Sequence, residues 1–284
     1  MTLLQVHDFG GEGPQLVLLH GFGRSLTDWD ASAALLTAGH RVLAVDLPGH
    51  GRSPRTSPWT IPTVVRHIAD TLDAHGVPEA VVVGHSLGGL VAVEYARAHP
   101  DGARAAVNLD GFWWGPEYPG AERVGEGLLA SAGTIAPPEY IEQQVVNSVR
   151  LGIPADHAET AARSAARPLP DGTWQILPER TEALEILDEL HRLGAPGVTT
   201  WLDGVDRPLL LVQAGRRLPP APGMEWFSEF SARFAQGVSD DLDTLSRTRP
   251  TISVHRIDAT HLMILETPEG VATRVAEFVR GLPG

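Results

Sequence analysis

The sequence VVVGHSLGG, residues 81–89, contains three consecutive valines followed by the pattern Gly-x-Ser-x-Gly. The valines predict a buried strand, and the residues after the pattern predict a helix. Glycines at positions 84 and 88 allow the two elements to approach closely through a sharp turn. We therefore expect Ser86 at the apex of a strained strand-to-helix turn, with its hydroxyl exposed above the edge of a sheet.

Strand and helix patterns alternate on both sides of this stretch. The predicted strands cover residues 15–20, 41–45, 80–84 and 105–109, and the predicted helices cover residues 28–36, 61–75 and 87–99. Alternation at this spacing predicts an α/β fold with a mostly parallel, doubly wound sheet. Ligands of such sheets bind beyond the carboxyl ends of the strands, where both His20 and Ser86 are expected.

The alternation stops between residues 111 and 206, where helical patterns are interrupted by glycine and proline and no strand is evident. We predict that residues 111–206 form an inserted helical cap and that residues 1–110 and 207–284 form the core domain. The core pattern resumes with strands at residues 208–214 and 252–257, a helical stretch at 225–236 and a closing helix at 268–280.

Aromatic residues are frequent in the predicted cap. Trp113, Trp114 and Tyr118 come shortly after a predicted strand end, where side chains of α/β proteins meet their ligands. They are therefore candidates for lining an apolar substrate pocket above the sheet. The alternative is that the cap aromatics form only the hydrophobic core of the cap.

The composition excludes several classes of protein. The chain has 284 residues, 43% of them hydrophobic, which is enough for one main domain with a large core. It has no cysteine, so disulfides, a thiolate nucleophile and a zinc–thiolate site are impossible. The formal net charge is −13, and no basic cluster is present that could follow nucleic-acid phosphates. We expect a small-molecule substrate and no nucleic-acid partner.

The location of the protein is also constrained by the sequence. Residues 1–8 lack the basic segment and apolar core of a secretory signal, and they predict a first strand instead. No apolar run approaches the roughly 20 residues that a helix needs to span a bilayer. We therefore expect a cytoplasmic protein without a membrane partner. The sequence leaves the oligomeric state open, with a homodimer as one possibility.

Four segments, in this order, resemble the α/β-hydrolase superfamily, especially its branch with a helical cap. They are HGFG at residues 20–23, DLPGHGRS at 46–53, the turn around Ser86 and TH at 260–261. The resemblance covers nearly the whole chain. It implies the α/β-hydrolase fold, with Ser86 as nucleophile and His261 as the base that accepts its proton.

The same chemistry needs donors for the oxyanion that forms when a serine attacks a carbonyl. Leu87 directly follows Ser86 at a predicted helix N-terminus, where backbone N–H groups are unpaired and the helix dipole favours an anion. The resemblance implies the N–H of Phe22 as the second donor. Both assignments concern the backbone, so neither side chain is expected to be required.

The acid that would orient His261 is less clearly defined. In most members of the superfamily it follows the strand that corresponds to residues 208–214, but here residues 215–218 read Gly-Arg-Arg-Leu, without a carboxylate. The strand at 105–109 ends in Asp110, a position that carries the acid in some members, so we predict Asp110. In the alternative, Asp110 only caps a turn, and the acid is one of Glu225, Asp258 and Asp203.

Four other polar residues are expected near the site. His20 and His85 flank it, and we predict that they shape loops by hydrogen bonding to the backbone. Contact with the substrate is the alternative for both, and His85 is the candidate pocket residue. Asp46 and Arg52 belong to the 46–53 segment, which supports the floor of the active site in the superfamily. We interpret both as structural residues.

The sequence thus predicts a serine hydrolase that cleaves an ester, lactone or thioester of a medium-sized apolar molecule through an acyl-enzyme, without a cofactor or a metal ion. Dehalogenases and epoxide hydrolases of similar fold use a carboxylate nucleophile, so Ser86 argues against both reactions. Two alternatives remain open. One is a non-hydrolytic catalyst of the same fold, such as a C–C bond-cleaving enzyme, a lyase or a cyclase. The other is a ligand-binding protein with little turnover, supported only by the missing acid after residue 214.

Overall fold

The computed structural model describes residues 2–194, 196–219, 223 and 225–283. Its strands are β1 (Val6–Gly10), β2 (Gln15–Leu19), β3 (Arg41–Val45), β4 (Ala80–His85), β5 (Ala103–Leu109), β6 (Ile135–Ala136), β7 (Ala166–Pro168), β8 (Trp174–Ile176), β9 (Leu209–Ala214) and β10 (Ile252–Ile257).

The helices of the described residues are α1 (Asp30–Leu36), α2 (Ile61–Ala74), α3 (Leu87–Ala98), α4 (Ala121–Ser131), α5 (Tyr140–Arg150), α6 (Ala155–Ser164), α7 (Arg180–Gly194), α8 (Gly197–Trp201), α9 (Glu225–Thr248), α10 (Met263–Glu266) and α11 (Pro268–Arg280). A short 3-10 helix at Leu26–Trp29 precedes α1. In the part of the chain covered by the structure, no helix is both long and apolar enough to cross a membrane.

Seven strands form the central sheet, in the order β1-β3-β2-β4-β5-β9-β10. β1 pairs with β3 in antiparallel orientation, and the other neighbouring strands of this sheet are parallel. The prediction of a mostly parallel α/β sheet is therefore confirmed. Because all the parallel strands run in one direction, the carboxyl ends of β4, β5, β9 and β10 meet at one edge of the sheet.

Helices cover both faces of this sheet, so its inner strands are buried on both sides and consist largely of apolar residues. One face packs against a cluster that includes α2 and α3, and the other packs against α1 and α11. Val81, Val82 and Val83 of β4 illustrate the result, because none of the three is exposed to solvent. Burial of a valine side chain stabilises the fold by roughly 1.5–3 kcal/mol.

The segment between β5 and β9 differs from the prediction in one respect. It contains three short strands, which form a separate antiparallel sheet in the order β6-β8-β7, so the expectation of a cap without strands was wrong. These strands have only two or three residues each, which is too short for an alternating pattern to be visible in the sequence. Two further differences concern helices, since α9 extends to Thr248 and α10 was not predicted.

Helix α7 joins this inserted segment to the rest of the molecule. Its side chains Ile186 and Leu190 are buried in the same cluster as α2 and α3. Its glutamates bind the chain at the start of α2, where Glu189 accepts a hydrogen bond from the Ile61 N–H at 2.7 Å and Glu185 accepts one from the Trp59 N–H at 2.7 Å. A carboxylate is favourable at a helix N-terminus because it satisfies unpaired N–H groups. The boundary of the cap at residues 111 and 206 stays a prediction.

Candidate active site

Ser86 lies between β4 and α3 with φ of 54° and ψ of −120°. A positive φ is unfavourable for a residue with a Cβ and persists only where the surrounding structure enforces it. The enforcing contact is between the two motif glycines, since a Cβ on Gly84 would lie 1.9 Å from the Gly88 carbonyl oxygen. The predicted strained turn is present, and it leaves the serine side chain partly accessible.

His261 lies in the loop between β10 and α10. Its Nε2 is 3.1 Å from the Ser86 Oγ, which is within hydrogen-bond distance. The imidazole is 44% exposed, so a substrate can reach the pair from solvent. This geometry suits a base that accepts a proton from the serine hydroxyl.

Asp110 directly follows β5, and its Oδ2 is 2.7 Å from the His261 Nδ1. Its other carboxylate oxygen accepts a hydrogen bond from the Ala214 N–H at 2.9 Å. Burial raises the pKa of Asp110, but the hydrogen bonds from His261 and Ala214 and the nearby imidazole outweigh burial and hold the pKa below its usual range. The ionised carboxylate favours the tautomer of His261 with a proton on Nδ1, which leaves the Nε2 lone pair for Ser86.

The turn that presents Asp110 is also strained, with φ of 53°. Asn108 stabilises this turn, because its side-chain amide donates to the Gly111 carbonyl oxygen at 2.8 Å and its amide oxygen accepts from the Gly111 N–H at 2.6 Å. The Asp110 N–H donates to the Val212 carbonyl oxygen on β9 at 2.7 Å. The sequence reasoning missed Asn108, although a polar residue inside an apolar strand was a visible signal.

The other candidate acids lie elsewhere. Asp258 is 92% exposed and forms an ion pair with Arg216, Glu225 accepts a hydrogen bond from the Gly223 N–H, and Asp203 is exposed at the surface. Of the four candidates, the structure brings Asp110 within hydrogen-bond distance of His261 and records no such contact for the other three.

Two backbone amides at the site are available to an anion. Within the described residues, the N–H groups of Phe22 and Leu87 have no hydrogen-bond acceptor. Leu87 is the first residue of α3, so its amide also benefits from the helix dipole. The loop with Phe22 lies against the serine, because a Cβ on Gly21 would be 3.2 Å from the Ser86 Cβ. Both amides are thus suitable candidates for an oxyanion hole.

His20 fixes the start of this loop. Its Nδ1–H donates to the Gly21 carbonyl oxygen at 2.8 Å, and its Nε2 accepts a hydrogen bond from the Leu47 N–H at 2.9 Å. Complete burial lowers the pKa of His20 to about 4, so the ring is neutral near pH 7. His20 has the backbone contacts that the sequence predicted for it.

His85 fixes the opposite side of the site. Its Nε2–H donates to the His261 carbonyl oxygen at 2.7 Å, while its Nδ1 is buried without a partner in the residues that the structure covers. Burial, followed by the neighbouring His261, lowers the pKa of His85 to about 3. His85 therefore binds the His261 loop as a neutral donor, and its contact with a substrate stays a prediction.

Asp46 binds two segments of backbone. Its carboxylate accepts hydrogen bonds from the Leu26 N–H at 2.7 Å and from the Arg52 N–H at 2.8 Å. It thereby connects the 3-10 helix to the 46–53 loop, as expected for a structural residue. The contact of Arg52 with Asp46 is made by its backbone.

The aromatic residues proposed for the pocket pack against helices. Trp113 and Trp114 stack with ring centroids 3.8 Å apart, and Trp114 meets Phe230 of α9 edge to face at 4.7 Å. Tyr118 also contacts Phe230, at 5.5 Å. Such contacts are typical of a hydrophobic core, which was the alternative that the sequence left open. The role of Trp113, Trp114 and Tyr118 as pocket residues stays a prediction.

Among residues 2–194, 196–219, 223 and 225–283, no group of three or more histidine, aspartate or glutamate side chains is placed to hold a metal ion. Ser86, His261, Asp110 and the two backbone amides are groups of the described site that can take part in acyl transfer.

Comparison with known proteins gives consistent results. A family model described as the alpha/beta hydrolase fold matches residues 14–129. The chain is 30% identical over 279 residues to a pimeloyl-[acyl-carrier protein] methyl ester esterase of Methylococcus capsulatus, covering 95% of this chain and 96% of that protein.

Solved structures resemble this chain over nearly its full length. The crystal structure of E-2-(acetamidomethylene)succinate hydrolase has a TM-score of 0.76 at 22% identity, covering 98% of this chain and 95% of that one. The enol-lactonase from Burkholderia xenovorans LB400 has a TM-score of 0.63 at 18% identity, covering 98% and 96% of the two chains. At these identities the likeness concerns the fold.

Proposed function

The chain belongs to the α/β-hydrolase superfamily, and within it we propose a serine hydrolase that cleaves a carboxylic ester, lactone or thioester. The observation that carries this proposal is the continuous hydrogen-bonded chain from Ser86 through His261 to Asp110, with separations of 3.1 Å and 2.7 Å. A serine, a base in contact with it and an acid that orients the base are the three groups that acyl transfer requires.

In the first half of the reaction, the Ser86 Oγ attacks the carbonyl carbon while the His261 Nε2 accepts the hydroxyl proton. The carbonyl oxygen becomes an oxyanion and is stabilised by the amides of Phe22 and Leu87. The bond to the leaving group then breaks, and the imidazolium of His261 returns the proton to the departing alcohol or thiol. The acyl group remains on Ser86 as an ester.

In the second half, water replaces the alcohol. His261 removes a proton from the water molecule, the resulting hydroxide attacks the acyl-enzyme, and the imidazolium protonates the Ser86 Oγ as the acid leaves. Asp110 stabilises the imidazolium in both halves. The buried neutral ring of His85 avoids a second positive charge beside it, because its pKa is lowered to about 3.

The substrate class proposed is an ester, lactone or thioester of medium size with apolar groups near the carbonyl. Support comes from similar proteins, which include a methyl ester esterase and an enol-lactonase. Further support comes from the sequence of the cap, which is rich in aromatic residues and has no run of basic residues. In this proposal aromatic side chains of the cap line the pocket, and the lack of a basic run disfavours a strongly anionic substrate.

The experiment that tests the proposed function uses stopped-flow hydrolysis of p-nitrophenyl butyrate. We expect wild-type protein to release a burst of about one equivalent of nitrophenol, and Ser86→Ala to show no burst and a loss of at least about 10³-fold in kcat/KM. Ser246→Ala is the matched control, since Ser246 is exposed and its hydroxyl donates to the Asp243 carbonyl oxygen within the same helix, α9.

A fluorophosphonate, followed by mass spectrometry, provides the independent readout. It should modify wild-type protein at Ser86 and leave Ser86→Ala unmodified. A folded wild type that neither hydrolyses esters nor reacts with the phosphonate would contradict the proposal. Full activity of Ser86→Ala would contradict it as well and would favour a non-hydrolytic reaction.

A further inference from the structure

The loop with His261 has little regular structure of its own. β10 ends at Ile257 and α10 begins at Met263, so the histidine lies on irregular backbone between them. Loops are ordinarily more mobile than the elements that they connect. Reaction requires the imidazole to stay within about 3 Å of the serine, so some contact must fix this loop.

Glu266 provides such a contact. Its carboxylate accepts hydrogen bonds from the Thr260 N–H at 3.0 Å and from the Thr260 hydroxyl. The same hydroxyl accepts a hydrogen bond from the Leu262 N–H at 3.2 Å. Glu266 thereby holds the residues on both sides of His261, one of them directly and the other through Thr260.

The carboxylate of Glu266 is buried, with its side chain 6% exposed, and Arg216 neutralises it through a contact of 2.9 Å. Burial of a carboxylate is costly unless charge compensation and hydrogen bonds offset its desolvation. Glu266 has both, because two groups of Thr260 and one group of Arg216 donate to it.

Arg216 belongs to the turn after β9, the turn that lacks a carboxylate. The backbone of this turn runs along the His261 loop, where the Gly215 N–H donates to the Ile257 carbonyl oxygen at 2.7 Å and the Arg216 N–H donates to the Ala259 carbonyl oxygen at 2.9 Å. The ion pair of Arg216 with Asp258 adds little, because Asp258 is 92% exposed.

We infer that Glu266 is a positioning residue for the reaction and that Arg216 secures it. Glu266 fixes the 260–262 segment to the end of β9, and this fixation keeps the His261 Nε2 aligned with the Ser86 Oγ. The catalytic consequence rests on the proposed function. The turn after β9, which lacks a carboxylate, thus helps to hold the catalytic base.

The test compares Glu266→Ala, Glu266→Gln and Arg216→Ala with the matched control Arg217→Ala, whose residue is exposed. We expect Glu266→Ala to lower kcat by about ten- to a hundredfold with KM changed less than about threefold, because a misplaced catalytic group slows chemistry without weakening binding. Glu266→Gln should recover part of kcat, since its amide oxygen still accepts from the Thr260 N–H. Arg217→Ala should retain wild-type values.

Arg216→Ala should lower kcat less than Glu266→Ala does, and the double variant should resemble Glu266→Ala alone, because both residues act through one carboxylate. Circular dichroism and thermal unfolding establish that each variant is folded. If Glu266→Ala fails to fold, the isosteric Glu266→Gln and the exposed-site Arg216→Ala serve as the test. Each should then lower kcat while KM changes little.

Hydrogen exchange separates failure of this inference from failure of the proposed function. Amide exchange of residues 258–266, measured by mass spectrometry, should be at least about tenfold faster in Glu266→Ala than in wild type if the carboxylate fixes the loop. A wild type without hydrolysis or phosphonate labelling would overturn the proposed function, and exchange would then decide whether Glu266 fixes the loop. Unchanged exchange, or unchanged kcat in a folded Glu266→Ala, would overturn the inference.

Discussion

The turns after β5 and β9 make an instructive comparison, because the two strands are parallel neighbours in the sheet. Adjacent strands lie about 4.8 Å apart, so both turns are within reach of the same histidine. The turn after β5 presents Asp110, whereas the turn after β9 presents Arg216, which contacts Glu266. One turn thus contributes a negative charge to His261, and the other contributes hydrogen bonds to its loop.

The two turns also differ in how they are constrained. The β5 turn is closed by Asn108 and holds Asp110 at φ of 53°. The β9 turn runs alongside the loop after β10 and is joined to it by two backbone hydrogen bonds. The Asp110 carboxylate bridges the two turns, since it accepts a hydrogen bond from the Ala214 N–H at the end of β9. The β5 turn is thus constrained within itself and presents a charge, whereas the β9 turn is constrained by the neighbouring loop and supports it.

The largest effect is expected from Asp110→Asn, which removes the charge of the β5 turn. We predict a loss of about 10³–10⁴-fold in kcat, because an amide next to Nδ1 no longer holds the correct tautomer or stabilises the imidazolium. Steady-state ester hydrolysis measures kcat of the variant and of wild type. Asp258→Asn is the control, since Asp258 is 92% exposed, and it should stay within about twofold of wild type. Equal losses in both variants would contradict the assignment of Asp110.

A smaller effect is expected from Gly111→Ala, which tests the tight geometry of the β5 turn. The added Cβ would lie 2.3 Å from the Ser86 carbonyl oxygen, so the β5 turn and the strand-to-helix turn at Ser86 must move apart. We predict a decrease of about 1–3 kcal/mol in the free energy of unfolding, measured with urea. The control Gly237→Ala, inside α9 with open space at its Cβ, should instead stabilise by about 0.5–1 kcal/mol. A Gly111→Ala variant as stable as wild type would show that the turn is not tight.

The smallest effect concerns His85, which precedes Ser86 and donates to the His261 carbonyl oxygen. Burial, followed by the nearby His261, lowers the pKa of His85 to about 3 from the ordinary value of 6.5. Between these values the unfolded chain binds more protons than the folded protein, so the free energy of unfolding falls as the pH falls. His85 alone changes the free energy of unfolding by at most about 1.4 kcal/mol per pH unit, and it causes no change above about pH 6.5.

Urea unfolding of wild type and His85→Gln at pH 7.5, 6.0 and 5.0 measures this contribution. The loss of stability between pH 7.5 and 5.0 should be smaller in His85→Gln, by up to about 2 kcal/mol. The same pH dependence in both proteins would mean that His85 is protonated in the folded state and does not hold the loop as a neutral donor.

The fold was predictable in outline because its signals are local. The valines of β4 and the glycines around Ser86 specify a strand, a turn and a helix within a few residues, and the structure contains all three. The short strands of the inserted segment were not predictable, since two or three residues carry no periodic pattern.

The candidate site was predictable where each residue belongs to a recognisable segment, as for Ser86, His20 and His261. Asn108 and Glu266 were missed because their importance depends on hydrogen bonds made after folding. The sequence placed Trp113 and Trp114 close to a strand end, but the direction of an indole depends on its neighbours. Those neighbours proved to be each other and Phe230.

By itself, the sequence determined an α/β chain with a serine at a strand-to-helix turn, because hydrophobic periodicity and glycine geometry act over short distances. The sequence also narrowed the acid that orients His261 to a few candidate residues. Only the tertiary structure brought Asp110 to His261 across 151 positions of the chain, and placed Arg216 against Glu266. The physical reason is that strand order and parallel alignment decide which turns meet at the sheet edge. Hydrogen bonds and charges then select the contacts among the residues that arrive there.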